Sequence, residues 1–99
     1  GSIRLNADEN VTFISEDLKE YDVCKKKWGY YATPSINKRL KKFGYVTALV
    51  YNEFFDTFFI HLVDRKDKKS FFKYLKSENM KLVCWLNKSN LEKIKNKFE

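Results

Sequence analysis

Two neighbouring strand-like runs constrain the fold most: YVTALVY (45–51) and TFFIHLVD (57–64), separated by the five residues NEFFD. Both are rich in β-branched and aromatic residues, the side chains that suit a pleated, half-buried surface. The second run is apolar almost without interruption, the pattern of a strand covered on both faces. A link this short suffices for a hairpin, which makes the pair antiparallel. A parallel pair needs the link to cross over the sheet. The two pairings define two different folds.

The remaining elements follow from periodicity and punctuation. Ser15 is placed to cap a helix beginning Glu16-Asp17 and running to about residue 27, with Gly29 ending it. YYAT (30–33) reads as a short strand stopped by Pro34. Ser35 then caps a helix in which Ile36, Leu40 and Phe43 form an apolar stripe, closed by Gly44. Asp67 opens a helix to about residue 78, with Phe71, Phe72 and Leu75 inward and Lys69, Lys73 and Lys76 along the other side. MKLVCWL (80–86) is the last strand, and Ser89-Asn90-Leu91-Glu92 is a capping box for a final helix bearing Leu91, Ile94 and Phe98. The order α-β-α-β-β-α-β-α predicts an α/β fold, a four-stranded sheet flanked by helices. Residues 1–14 are expected to be a polar, loosely ordered segment whose Gly1-Ser2 matches a tag-cleavage scar. Residues 15–99 are expected to form one α/β domain, a fragment of a larger protein.

Nine Phe, six Tyr and two Trp exclude a disordered chain. Each large apolar side chain that is fully buried contributes about 1.5–3 kcal/mol, so an aromatic core is expected. No apolar run approaches the roughly 18–20 residues of a membrane span. With Cys24 and Cys84 far apart and His61 the single imidazole, no zinc constellation exists, and reduced thiols in an intracellular setting are expected. The same scarcity argues against an enzyme. His61 lies mid-strand without a positioned partner, the glycines (Gly1, Gly29, Gly44) form no phosphate loop, and Cys84 reads as a buried thiol. No catalytic residue, metal or cofactor is assigned.

Charge is the sharper signal. The chain carries +7, divided between −4 in residues 1–24 and +11 in the remaining 75, an asymmetry that suits an anionic partner. The stretch from Cys24 to Tyr45 holds Lys25, Lys26, Lys27, Lys38, Arg39, Lys41 and Lys42 and no acid. These seven form the candidate face for nucleic acid or an acidic partner, with Tyr30, Tyr31 and Tyr45 available to stack on bases. Lys26-Lys27, a ten-residue spacer and 38–42 also fit a bipartite nuclear import pattern.

From Tyr30 onward the β-α-β-β-α-β-α succession resembles the BRCT domain. SINKRLKKFG resembles that family's first helix, FFIHLVD its third strand, and KKSFFKYLKSENMKLVCWL its Lys-bearing second helix followed by the fourth strand and a Trp-Leu pair. The resemblance implies a parallel sheet and a non-catalytic protein-interaction module of DNA-repair or chromatin proteins, usually nuclear. Some members bind phosphoserine or phosphothreonine. It places an anion or phosphate site at Thr33, with Ser35 close by, and at Lys69, with Lys68 adjacent. Lys73 follows one turn along the same helix. The expected partner is therefore a phosphorylated or acidic protein segment, or DNA. The hairpin pairing leads instead to a ferredoxin-like α+β fold with an antiparallel sheet, a nucleic-acid-binding accessory domain of a larger enzyme. A structural or oligomerisation module with a merely solubilising surface is the third expectation.

Overall fold

The computed structural model describes residues 1–99, which form two compact units, 1–35 and 36–99. It replaces the single four-stranded sheet with two three-stranded antiparallel sheets and three helices, an α+β architecture. From residue 29 onward the elements do follow the order β-α-β-β-α-β-α, but they lie on two antiparallel sheets, so the single parallel sheet that the BRCT resemblance implies is absent, and so is a four-stranded ferredoxin-like sheet.

The first unit is a meander of β1 (Asn10–Ile14), β2 (Glu20–Lys26) and β3 (Gly29–Ala32). The helix expected over 16–27 is therefore a strand. Alternation explains it. Tyr21 and Val23 face Phe13 and Val11 across the ladder, while Asp22 and Cys24 take the other face. The Ser15 hydroxyl does accept a backbone N–H, but from Lys19 at 3.1 Å, closing the β1–β2 turn instead of starting a helix. Leu18 takes φ +64° in that turn. The strand expected at 30–33 exists, but it pairs with β2 and not with the later strands. Only Cys24 and Pro34 are buried in this unit.

The second unit holds the core. It runs α1 (Arg39–Lys42), β4 (Tyr45–Asn52), β5 (Thr57–Asp64), a 3₁₀ turn (Arg65–Asp67), α2 (Lys68–Ser77), β6 (Met80–Trp85) and α3 (Lys88–Phe98). β4 and β5 pair as the hairpin the five-residue link allows, Tyr45 opposite Asp64 through Asn52 opposite Thr57. β6 pairs antiparallel on the other side of β4, giving the order β5-β4-β6. As an edge strand, β5 is not covered on both faces, and Phe58 and Ile60 are 61% and 60% exposed. The helix expected from Ser35 shrinks to four residues without a side-chain cap, and of its stripe only Leu40 is fully buried.

One face of this sheet packs on α2. Ala48, Val50 and Val63 meet Phe71 and Leu75, with Val46, Met80, Leu82 and Trp85 around them. His61 lies on the same face within an aromatic cluster, its ring 5.8 Å from Phe71 and 6.2 Å from Tyr74. A register shift makes Trp85 part of this core. Val50 pairs with Leu82 and Leu49 with Cys84, so Val83 is an extra, bulged residue. Leu82 and Trp85 stand three residues apart, and in a regular strand they would face opposite ways. The bulge turns both toward α2.

Candidate anion site at the end of the second sheet

Three chain segments meet at the end of the sheet where β4 begins and β6 ends: the turn into α2, the turn into α3, and α1 with its approach. Between them lies a cleft of about 190 Å³. Lys41, Arg65, Lys68 and Lys88 line it, together with Asn37, Tyr45, Thr47, Trp85 and Asn87, and no acidic residue lines it. None of the four cations forms an ion pair. Lys68 instead places its ammonium 4.8 Å from the centroid of the Trp85 ring, a cation–π contact.

Two helices begin here, each with lysine in its first turn, α2 continuing directly from the 3₁₀ turn that Asp64 caps and that contains Asp67. The N-terminus of a helix carries partial positive charge and favours acids. α2 opens Lys68-Lys69 and α3 opens with Lys88, and neither has an acid in its first turn. Asn87 caps α3 by accepting the Asn90 N–H at 2.9 Å, whereas Asp67 makes no capping bond to α2. Thr47 also lines the cleft; it is only 5% exposed, and its hydroxyl is closed off from solvent and has no hydrogen-bond partner. A buried hydroxyl left unpaired costs about 1–3 kcal/mol.

The charge agrees with this location. Residues 36–99 hold 15 Lys or Arg against 7 Asp or Glu, a net +8. The first unit holds 5 against 6 and is nearly neutral.

The expected site residues divide accordingly. Lys41 and Lys68 line the cleft; Lys38, Arg39, Lys42, Lys69 and Lys73 do not. Thr33 and Ser35 belong to the first unit, where the Thr33 hydroxyl donates to the Asp22 carboxylate at 3.2 Å. Lys25 stands over the Tyr30 ring, 5.2 Å from its centroid, and Lys26 pairs with Asp8 at 2.8 Å, while Lys27 is exposed. That pairing holds the Asp8 carboxyl below its ordinary range and the Lys26 ammonium above its own, the hydrogen bond being the larger cause in each case. Sequence reasoning missed Arg65, Lys88, Thr47 and Trp85. The lysines at helix starts were readable as residues that violate the dipole preference, but the bulge that delivers Trp85 leaves no periodic signal.

Both cysteines are free thiols. No group of three or more His, Cys, Asp or Glu is placed to hold a metal ion, and no helix is long and apolar enough to cross a membrane. No protein-family model, curated protein or solved structure matches this chain.

Proposed function

We propose that the protein is a non-catalytic binding module whose second unit receives the charged group of an anionic partner: a phosphorylated or acidic protein segment, or a nucleic-acid strand. The observation that carries this reading is the cleft lined by four unpaired cations and no acid. Four like charges around one small cleft repel one another. An anion in the cleft converts that repulsion into attraction. The reading places the parent protein inside the cell and, from the paired basic runs at 26–27 and 38–42, in the nucleus.

The test reverses two of the cleft cations, Lys41→Glu with Lys88→Glu. Both are exposed at the surface, so the fold is expected to survive, checked by circular dichroism. Binding of a single-stranded oligonucleotide and of phosphorylated and acidic peptides is measured by fluorescence anisotropy. The expected result is a loss of at least tenfold for whichever probe binds the unaltered protein. Unchanged binding by a folded double variant refutes the assignment.

A second reading draws on the opposite face of the sheet, where Phe58 and Ile60 are exposed. Single exposed apolar residues are ordinary, but two on one strand face suit a structural or oligomerisation role. Sedimentation equilibrium tests it, and a monomer at high concentration removes it.

A further inference from the structure

A second binding surface, independent of the anion cleft, lies along the free edge of β5. This edge strand has eight residues, a length of about 26 Å. The ladder fixes which backbone groups it turns outward. The Arg65 N–H donates to the Gly44 carbonyl at 2.8 Å, and the Leu86 N–H donates to the Thr47 carbonyl at 2.8 Å. Backbone groups alternate in direction along a strand, so the even positions of β4 face β5 and the odd ones face β6. The partners of those even positions are the odd residues of β5, Thr57 to Val63. Phe58, Ile60 and Leu62 therefore turn their N–H and C=O groups away from the sheet, and no other backbone group in the chain pairs with them. Edges are kept from pairing with other chains by lysine, proline or a bulge. The opposite edge, β6, has two of these, Lys81 and the bulge at Val83. β5 has none, and Phe58, Phe59 and Ile60 are all exposed on it.

Beside this edge an open trough of about 550 Å³ separates β5 from α2. Its strand wall is the five consecutive residues 60–64. Successive side chains of a strand point to opposite faces, so only the edge of the strand presents all five to one space. The other wall is Asp67 with Ser70, Phe71 and Tyr74 of α2. Asp64 and Asp67 line the trough and no Lys or Arg does, although residues 36–99 are strongly basic. The stretch 43–64 is the longest in the chain without Lys or Arg. Asp64 already accepts the Lys66 N–H, whereas Asp67 makes no capping bond to α2.

We infer that β5 takes up an extended peptide segment of a partner as an added antiparallel strand, with a Lys or Arg at the N-terminal end of that segment beside Asp64 and Asp67. Main-chain hydrogen bonds supply affinity in this mode, and pockets for alternate side chains supply specificity. The segment's backbone pairs with Phe58, Ile60 and Leu62, and its alternate side chains enter the trough toward Phe71 and Tyr74. An antiparallel segment begins where β5 ends, which sets its first residue next to the two carboxylates. A second copy of β5 fits less well, because paired this way it brings Asp56, not a cation, toward that end.

The test uses the whole chain and the capped hexapeptide Arg-Thr-Val-Tyr-Val-Thr, fluorescein-labelled at its C-terminus and followed by anisotropy. The expected result is saturable binding that weakens several-fold when Ser replaces the Arg. Methylating the amide nitrogens of alternate residues is expected to weaken binding at least tenfold in one frame and to leave it unchanged in the other, because only one set of amides faces β5. Ile60→Pro removes an N–H that points away from β4, a position an edge strand tolerates, and is expected to weaken binding at least tenfold. Circular dichroism checks its fold; if it unfolds, the methylated peptides decide. Asp67→Asn is expected to narrow the difference between the Arg and Ser peptides. Absence of saturable binding, equal loss in both methylation frames, binding that survives Ile60→Pro in folded protein, or equal affinity for the Arg and Ser peptides overturns the inference. A dimer in sedimentation equilibrium that Ile60→Pro dissociates, with no peptide bound, also overturns it, since the occupant is then a second copy.

Discussion

The salt dependence of polyanion binding can be worked from the cleft itself. Four cations line it. If all four neutralise phosphates of a single-stranded oligonucleotide, log affinity falls with log salt at a slope of about −0.7 per phosphate, or about −2.8 in total. A fourfold rise in salt, from about 50 to 200 mM, then weakens binding roughly 50-fold. Replacing Arg65 and Lys88 by glutamine leaves two cations, a slope of about −1.4 and a loss of about sevenfold over the same range. Both side chains are exposed, so the change alters charge without opening the core. The assay is fluorescence anisotropy with a labelled oligonucleotide at five or six salt concentrations, for the unaltered chain and the double variant. A slope that stays near its original value in the variant refutes the reasoning, because binding then runs through lysines elsewhere on the second unit. A slope much steeper than about −3 in the unaltered chain has the same meaning.

Three further predictions concern the scaffold. Leu75→Ala removes a side chain that is 3% exposed at the centre of the α2 contact; it is expected to cost about 2–5 kcal/mol in urea unfolding, and a cost under about 1 kcal/mol contradicts the assigned core. Leu18 holds φ +64° while 76% exposed, so Leu18→Gly gives up no packing and is expected to stabilise the first unit by about 0.5–1 kcal/mol, with a lowered melting temperature as the refuting result. Asp8 has a folded pKa below its unfolded value because of Lys26, so its contribution is present above the unfolded carboxylate pKa and lost as pH falls through the folded one. Asp8→Asn is therefore expected to lower stability at neutral pH, with the difference shrinking as pH falls through the folded Asp8 value. Lys26, raised above its ordinary value by the same partner, keeps its contribution below its unfolded pKa and loses it as pH rises through the folded value.

The second unit was largely legible in the sequence, and for identifiable reasons. The runs 45–51 and 57–64 and the helix after Asp67 carry strong, unambiguous periods, and the structure places β4, β5 and α2 there to within a residue or two. The first unit was not legible. The stretch 15–27 contains a capping serine, two acids in a first-turn position and apolar residues compatible with either period. Strand pairing with Phe13 and Val11 decides it, and pairing is a tertiary effect that local propensity does not report. The helix after Ser35 failed in the opposite way. Its stripe is present, but the sheet buries only Leu40 fully, and a turn without a cap does not extend. In the candidate site, Lys41 and Lys68 were legible as charges, while the residues that make the site a cleft were not. Thr47 reads as an ordinary strand threonine until its hydroxyl is found without a partner. Trp85 reaches the α2 face only because Val83 is bulged.

The central claim is that an anion is held at the end of the second sheet, between the first turns of α2 and α3. Backbone amide shifts followed by two-dimensional nuclear magnetic resonance during titration with phenyl phosphate test it most directly. The account predicts saturable shifts concentrated at Thr47, Lys68, Lys69, Lys88 and Ser89. Shifts centred on Lys73, Lys76 or Lys93, or confined to the first unit, contradict it.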